Sequence, residues 1–247
     1  MYNSYGATSD SVESAHFADM ELGGYNVFSE KSVRLGFIRK VFGIVTIQLI
    51  ITALIGTAFF VSDNVKQFTI ENPWTIWISL IVSIISLISL TCCNIYRSYP
   101  GNLICLILFT LSQSLTIGFY TSFSSGEVVL MAIVITTIVV VALILFASQT
   151  RIDFTPANGV LYCATLCLIL FGLACIIFPS KIILLIYASL GALLFSIWLV
   201  VDIQMLLGRN SIYRFSPEDY ILASIIIYQD IINIFLNVLD IITLSRS

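Results

Sequence analysis

Two aspartates, Asp202 and Asp230, lie inside the last two apolar stretches of a 247-residue chain, in Trp198–Leu199–Val200–Val201–Asp202 and Tyr228–Gln229–Asp230–Ile231–Ile232. Burying a carboxylate in hydrocarbon costs about 2.5–3.5 kcal/mol on insertion scales. A chain that keeps two of them must pair them, face them to water, or both. Ionisable groups at such depth mark proton relays and ion paths. After Asp230 come Asn233, Asn237 and Asp240, at spacings of 3, 4 and 3. On a helix these four residues share one face, about 15 Å long. Everything between them is Ile, Leu, Phe or Val. A polar line of that length cannot face lipid, so it looks into a bundle and makes the last helix central.

Two carboxyls in contact cannot both be ionised cheaply, and they titrate as a pair. A shared proton would bridge two helices with a short, strong hydrogen bond. Losing it would push the helices apart and leave a site for a hard cation such as Ca²⁺, which prefers oxygen ligands. Asp202 and Asp230 are therefore the candidate gate and the candidate Ca²⁺ ligands, with Asn233, Asn237 and Asp240 along the same path. For the asparagines a plainer account competes: interhelical hydrogen-bond glue, worth about 0.6 kcal/mol each. Glue rarely needs ionisable groups.

The elements that must position these residues are membrane helices. The chain is 59% hydrophobic and only 10% charged, against about 25% charged in ordinary soluble domains. Apolar runs near the ~20 residues needed to cross a bilayer read as Phe42–Val61, Trp74–Cys92, Asn102–Tyr120, Val128–Ser148, Gly159–Phe178, Ile182–Leu207 and Ile221–Leu244. Turn residues separate them, at Asn72–Pro73, Pro100–Gly101, Ser124–Ser125–Gly126, Asn158–Gly159, Pro179 and Ser216–Pro217. The expected architecture is an all-α, seven-span bundle over residues 32–247. It follows a polar segment, residues 1–31, rich in Ser, Gly and Tyr, that reads as a disordered cytosolic tail. No cleavable signal peptide is read at the start, and the first span would act as an uncleaved anchor.

Basic residues set the orientation. With the N-terminus in the cytosol, the inner segments hold Lys31, Arg34, Arg39, Lys40, Arg97, Arg151, Arg209 and Arg214, and the outer ones Lys66, Lys181 and Arg246, a ratio of 8 to 3. A re-entrant last segment would return Arg246 inside and make it 9 to 2; both arrangements satisfy the rule. Ser216–Pro217–Glu218–Asp219 reads as an N-cap serine, a proline at the first helical position and acids in the first turn.

Several function classes drop out. The eleven basic residues form no stripe that could track a phosphate backbone, so no nucleic-acid partner is expected. The six cysteines lie in or beside apolar runs, with neither a disulfide framework nor zinc spacing. They read as small buried hydrophobes, with Cys92–Cys93 at a helix end in a place where palmitoylation occurs. The lone His16 sits in the polar head.

The strongest block, Ser216–Pro217–Glu218–Asp219–Tyr220–Ile221–Leu222–Ala223–Ser224 followed by Tyr228–Gln229–Asp230–Ile231–Ile232–Asn233–Ile234–Phe235, resembles the S-P-E-E-Y-I…L-Y-L-D-I-I-N-L-F signature of the transmembrane BAX inhibitor motif family, on its Lifeguard and Golgi anti-apoptotic protein branch. Supporting matches are Val33–Arg34–Leu35–Gly36–Phe37–Ile38–Arg39–Lys40–Val41, Tyr99–Pro100–Gly101–Asn102–Leu103, Phe109–Thr110–Leu111–Ser112 and Gln149–Thr150–Arg151–Ile152–Asp153–Phe154–Thr155. The resemblance covers roughly residues 33–244. It implies a multi-pass protein of Golgi, endoplasmic reticulum or plasma membrane that permits a pH-sensitive Ca²⁺ leak and suppresses apoptosis. It maps the family's paired aspartates onto Asp202 and Asp230, and an acid linked to ion flux onto Glu218. The chain departs from the pattern at Val201, where a Tyr is frequent, and at Gln113, where some relatives carry Glu. Asp240 stands in place of a usual neutral Gln, and the second span lacks an acid that some bacterial relatives have. These departures bear on conductance and pH response more than on fold.

The resemblance thus implies no resident cofactor, with Ca²⁺ and H⁺ as the moving ions in a lipid bilayer. A seven-span receptor fits poorly with an inner N-terminus and with a third span lacking a basic-aromatic signature. No Lys lies within a span to form a retinal Schiff base. An intramembrane aspartyl protease would need a Gly-rich motif around one acid, and bulky aliphatics flank both here. The remaining alternative to a channel is a non-conducting regulator that binds other membrane proteins of the death pathway, with the acids only holding helices together. No enzymatic activity is expected on either reading.

Overall fold

The computed structural model describes residues 9–92, 98–208 and 215–246, with side chains from Ser32 onward, Lys66 and Cys92 aside. The expected tail over residues 1–31 and the Cys92–Cys93 pair lie outside the residues whose side chains are described. The helices are α1 (Ser9–Val61), α2 (Asp63–Glu71), α3 (Trp74–Cys92), α4 (Gly101–Thr121), α5 (Gly126–Gln149), α6 (Asn158–Ile177), α7 (Lys181–Leu207) and α8 (Tyr220–Arg246), with a 3₁₀ turn at Thr155–Ala157 before α6. Seven are long and apolar enough to cross a membrane, α1 through its stretch Ser32–Val61. Their bounds lie within a few residues of the sequence reading, except that α1 starts earlier.

Helices apolar on every side belong in lipid, and here most large apolar side chains of α3, α5 and α6 remain exposed. α8 is the exception. Of its most apolar stretch 67% is buried, against at most 39% in any other span. It packs chiefly on α7, then on α1, α5 and α4, while α3 lies on α4 and α6 on α7. α8 is therefore the axis, as its polar stripe requires. At 27 unbroken residues, about 40 Å of helix, it is a full crossing in length rather than a re-entrant hairpin.

Two apolar clusters flank it. One joins Phe37 and Val41 of α1, Val140 of α5, Leu199, Ile203 and Leu206 of α7, and Ile227 and Ile234 of α8. The other joins Leu106, Phe109 and Ile117 of α4, Val128 and Ala132 of α5, and Tyr228, Ile232 and Leu239 of α8.

Two local expectations change. The hinge before Pro73 contains the nine-residue helix α2, too short for its periodicity to stand out in sequence. Ser216 is not the N-cap of α8, and Pro217 is not its first residue. Asp219 N–H donates to the Ser216 carbonyl at 2.9 Å, closing a turn with Pro217 inside it, and the Asp219 carbonyl accepts Ala223 N–H at 2.9 Å as the first helical bond. The Asp219 carboxylate also accepts Ser216 N–H at 3.1 Å. Proline presets the second position of such a turn as readily as the first position of a helix, so Ser-Pro alone does not separate the two.

Candidate functional site

Near its end α7 carries Leu199–Val200–Val201–Asp202–Ile203–Gln204, every residue buried. The left-handed Gly208 (φ 66°) stops it, its N–H donating to the Met205 carbonyl at 3.1 Å; only glycine takes this conformation without a Cβ penalty. The chain then returns through the turn at Ser216–Asp219 into α8. This antiparallel pair sets Asp202 and Asp230 side by side, 5% and 6% exposed, with their carboxyls in hydrogen-bonding reach of each other. A hydrogen bond between two carboxyls requires a proton on one of them. Asp230 Oδ2 is buried without a hydrogen-bond partner.

The site lies under a clasp made by α1. Arg34 donates from Nη1 to the Phe215 carbonyl at 2.7 Å and from Nη2 to the Met205 carbonyl at 2.9 Å. A Cβ at Gly208 would collide with that guanidinium, so this glycine serves both the backbone turn and the close approach. Lys40 Nζ sits 3.2 Å from the centroid of the Tyr220 ring. A second strap comes from the loop before α6. The buried Gln204 accepts Phe154 N–H at 2.8 Å and donates to the Ile152 carbonyl at 2.9 Å, and Asp153 accepts from the N–H and hydroxyl of Thr155 at 3.0 and 2.6 Å. In the sequence Arg34 and Lys40 signal orientation through their charge, and nothing in the sequence marks Gln204.

The rest of the stripe runs away from this end. Asn233 and Asn237 are half-buried, and Asn237 Nδ2 donates to the Asn233 carbonyl at 2.7 Å, within its own helix. Gly191 of α7 lets the Asn237 side chain approach so closely that any Cβ there would overlap it. Asp240 accepts a hydrogen bond from the Tyr120 hydroxyl of α4, and near it Arg246 and Glu127 form an exposed ion pair at 3.8 Å. Glu218 is exposed in the turn before α8, at least about 15 Å along the chain axis from Asp230; the fold does not bring it to the pair.

A second polar cluster lies where α8 meets α1 and α4. Gln48 Nε2 donates to Thr110 Oγ1 at 3.0 Å, and Thr52 Oγ1 shares hydrogen bonds with Ser114 Oγ at 2.9 Å and the Tyr228 hydroxyl at 2.8 Å. Gln113 donates to Gln229 at 2.8 Å. The sequence carries a signal for this cluster: Gln48 and Thr52 are four apart on α1, Thr110 and Ser114 four apart on α4, each pair on one face.

Chemically, the pair can hold one proton between two helices. It cannot by itself complete a Ca²⁺ shell, since four carboxyl oxygens fall short of the six to eight that Ca²⁺ takes. Among the described residues no third acid, His or Cys joins it. The remaining ligands for a cation here would be water, which suits passage better than retention.

These features define a polytopic helical membrane protein with an ionisable pair at its axis. Residues 34–247 match the family described as inhibitor of apoptosis-promoting Bax1, and the chain belongs to that family. It is 35% identical over 218 residues to Bax inhibitor 1 of Schizosaccharomyces pombe, covering 88% of this chain and 79% of the relative. It is 34% identical over 227 residues to protein lifeguard 3 of Homo sapiens, covering 88% of this chain and 71% of the relative. The mouse lifeguard 3 is similar at 33% over 220 residues.

Proposed function

We propose that the protein suppresses apoptosis as a pH-sensitive Ca²⁺ leak of intracellular membranes, Golgi or endoplasmic reticulum, with its N-terminus cytosolic. The observation that carries this reading is the contact between Asp202 and Asp230, buried on two helices with one oxygen unpartnered. A proton shared between them ties α7 to α8. When it leaves, two like charges face each other in a poorly solvated place, the helices part, and water and Ca²⁺ enter along α8 past Asn233, Asn237 and Asp240. Lower stored Ca²⁺ then weakens the apoptotic signal. Glu218, exposed at the mouth, adds negative charge where cations approach.

The test is flux from Ca²⁺-loaded liposomes holding the purified chain. Release rises with pH, by up to about tenfold per pH unit if one proton gates the pair. The Asp202→Asn, Asp230→Asn double variant loses the pH response. Flux indifferent to pH, or unaltered in the double variant, removes the gate.

A second reading is supported by one observation. Asp240 of α8 holds the Tyr120 hydroxyl of α4, as interhelical glue would. On that reading the bundle conducts nothing and inhibits death by binding other membrane proteins of the pathway. Cells protected with unaltered Ca²⁺ stores would favour it.

A further inference from the structure

A cavity of about 640 Å³, lined by neither aspartate of the pair, lies between α1 and α5. Among the described residues these two helices make no extended contact with each other. Ile231, Ile232 and Phe235 of α8 back the gap, with Ile117 and Thr121 of α4. On α5 its lining runs from Gly126 to Val141, about 22 Å of helix. That length makes the cavity a slot. It opens sideways, since Phe60, Leu130, Ile133 and Val141 on its walls are all more than a third exposed. Ligand cavities usually fall between about 300 and 1,000 Å³.

We propose that this slot is a binding site for one acyl chain of a bilayer phospholipid. The lining contains no charged residue. Its polar groups are threonines whose hydroxyls are already used: Thr57 donates to the Ala53 carbonyl, Thr137 to Ile133, Thr121 to Gly118, and Thr52 joins Ser114 and Tyr228. The Thr136 hydroxyl lacks a partner but is itself buried. With no charge and a single unpartnered, buried hydroxyl, the slot selects hydrocarbon. Its extended form, running along α5 from Gly126 to Val141, suits an acyl chain. It lies wholly within membrane-spanning segments, so what enters sideways comes from the bilayer. Gly126, the first residue of α5, puts one end at the membrane edge, where a headgroup stays outside in water. A seated chain holds α1 from α5 and presses on the turn of α8 that follows Asp230. The site rests on the fold and stands or falls independently of Ca²⁺ conduction.

The test uses the full chain in phosphatidylcholine vesicles doped with phosphatidylcholine carrying a mid-chain diazirine. After irradiation, adducts are mapped by peptide mass spectrometry. Adducts concentrate on slot residues of α1 and α5, several-fold over Leu166 and Leu170 of α6, which are 62% and 66% exposed. A Cβ at Gly56 meets nothing within 4 Å, so Gly56→Leu fills the slot without backbone strain and cuts slot labelling about tenfold, the factor that 1.4 kcal/mol represents. Gly159→Leu, equally open but on α6, leaves it unchanged. Even labelling of all lipid-facing helices overturns the proposal, as does slot labelling that survives Gly56→Leu. Labelling from a diazirine fatty acid but not from the phospholipid overturns the choice of ligand. Should Gly56→Leu fail to fold, the adduct pattern on the unaltered chain decides alone.

Discussion

α8 carries a polar cluster on each flank, and the two differ in kind. Toward α1 and α4 the groups are neutral: Gln48, Thr52, Thr110, Ser114 and Tyr228. Toward α7 they are two carboxyls. Each cluster leaves one buried oxygen unpaired, Gln48 Oε1 in the first and Asp230 Oδ2 in the second. In the neutral cluster that deficit is a fixed penalty of about 1–3 kcal/mol, the same at every pH. In the carboxyl pair the demand for partners changes when a proton leaves. The first cluster can therefore hold a single arrangement of α1, α4 and α8, while the second has two, and only the second can report on its surroundings.

The largest effect should come from the neutral side. Tyr228 is fully buried and meets Phe109 edge-on at 6.1 Å between ring centroids. Tyr228→Ala removes both ring and hydroxyl and should cost about 3–5 kcal/mol, equally at acid and alkaline pH, measured by unfolding in detergent. A loss that varies steeply with pH would show that the two flanks are coupled and blur their division. Next comes Arg34→Ala. It deletes two charged hydrogen bonds to the carbonyls of Met205 and Phe215, which on a half-buried side chain are together worth about 1.5–3 kcal/mol. Hydrogen exchange should quicken around 203–208 and 215–224 and stay unchanged in α4. Equal quickening in α4 would mean that α1 serves as a general brace rather than a clasp on the ionisable side.

The pair itself should show in a slope rather than an offset. Removing one shared proton leaves two like charges in contact, so stability of the unaltered chain falls as pH rises through the pair's titration, by up to about 1.4 kcal/mol per pH unit for one proton. The double variant Asp202→Asn, Asp230→Asn should be flat over the same range. A slope that persists in it would assign the pH sensitivity to other groups.

How much of this was legible beforehand follows from what each element says locally. Seven runs near twenty apolar residues announce themselves, because a span is defined by its own length and hydropathy. The position of α8 at the axis is legible for the same reason: a 3-4-3 polar face can be read on one helix alone. Asp202 and Asp230 stand out because a carboxyl amid aliphatics has few bland explanations. Arg34, Gln204 and Thr52 did not stand out. Each acts through a backbone group or a hydroxyl far away in the chain, and their types, an arginine before a span and polar residues at its edge or within it, are ordinary. The true cap at Asp219 was hidden by the Ser-Pro that precedes it, since both a turn and a helix start accept that dipeptide.

The smallest predicted effect is the most discriminating for the neutral cluster. Thr52→Val keeps shape and removes the hydroxyl that bridges Ser114 and Tyr228. Ser114 still donates to the Thr110 carbonyl at 2.6 Å, so the loss falls on the Tyr228 hydroxyl, which keeps only Ser114 as a neighbour. Hydrogen bonds between membrane helices average about 0.6 kcal/mol, with a maximum near 1.7, because the separated helices find other partners in the bilayer. Thr52→Val should therefore cost about 0.6 kcal/mol. Combined with Tyr228→Phe, it should show a coupling of the same size, since the second change removes the group that the first one stranded. A coupling near zero would mean that the hydroxyls are satisfied elsewhere and that the cluster is held by the packing of Tyr228 against Phe109. The rigidity of the neutral flank would then be a property of shape, and its contrast with the carboxyl pair would rest on ionisation alone.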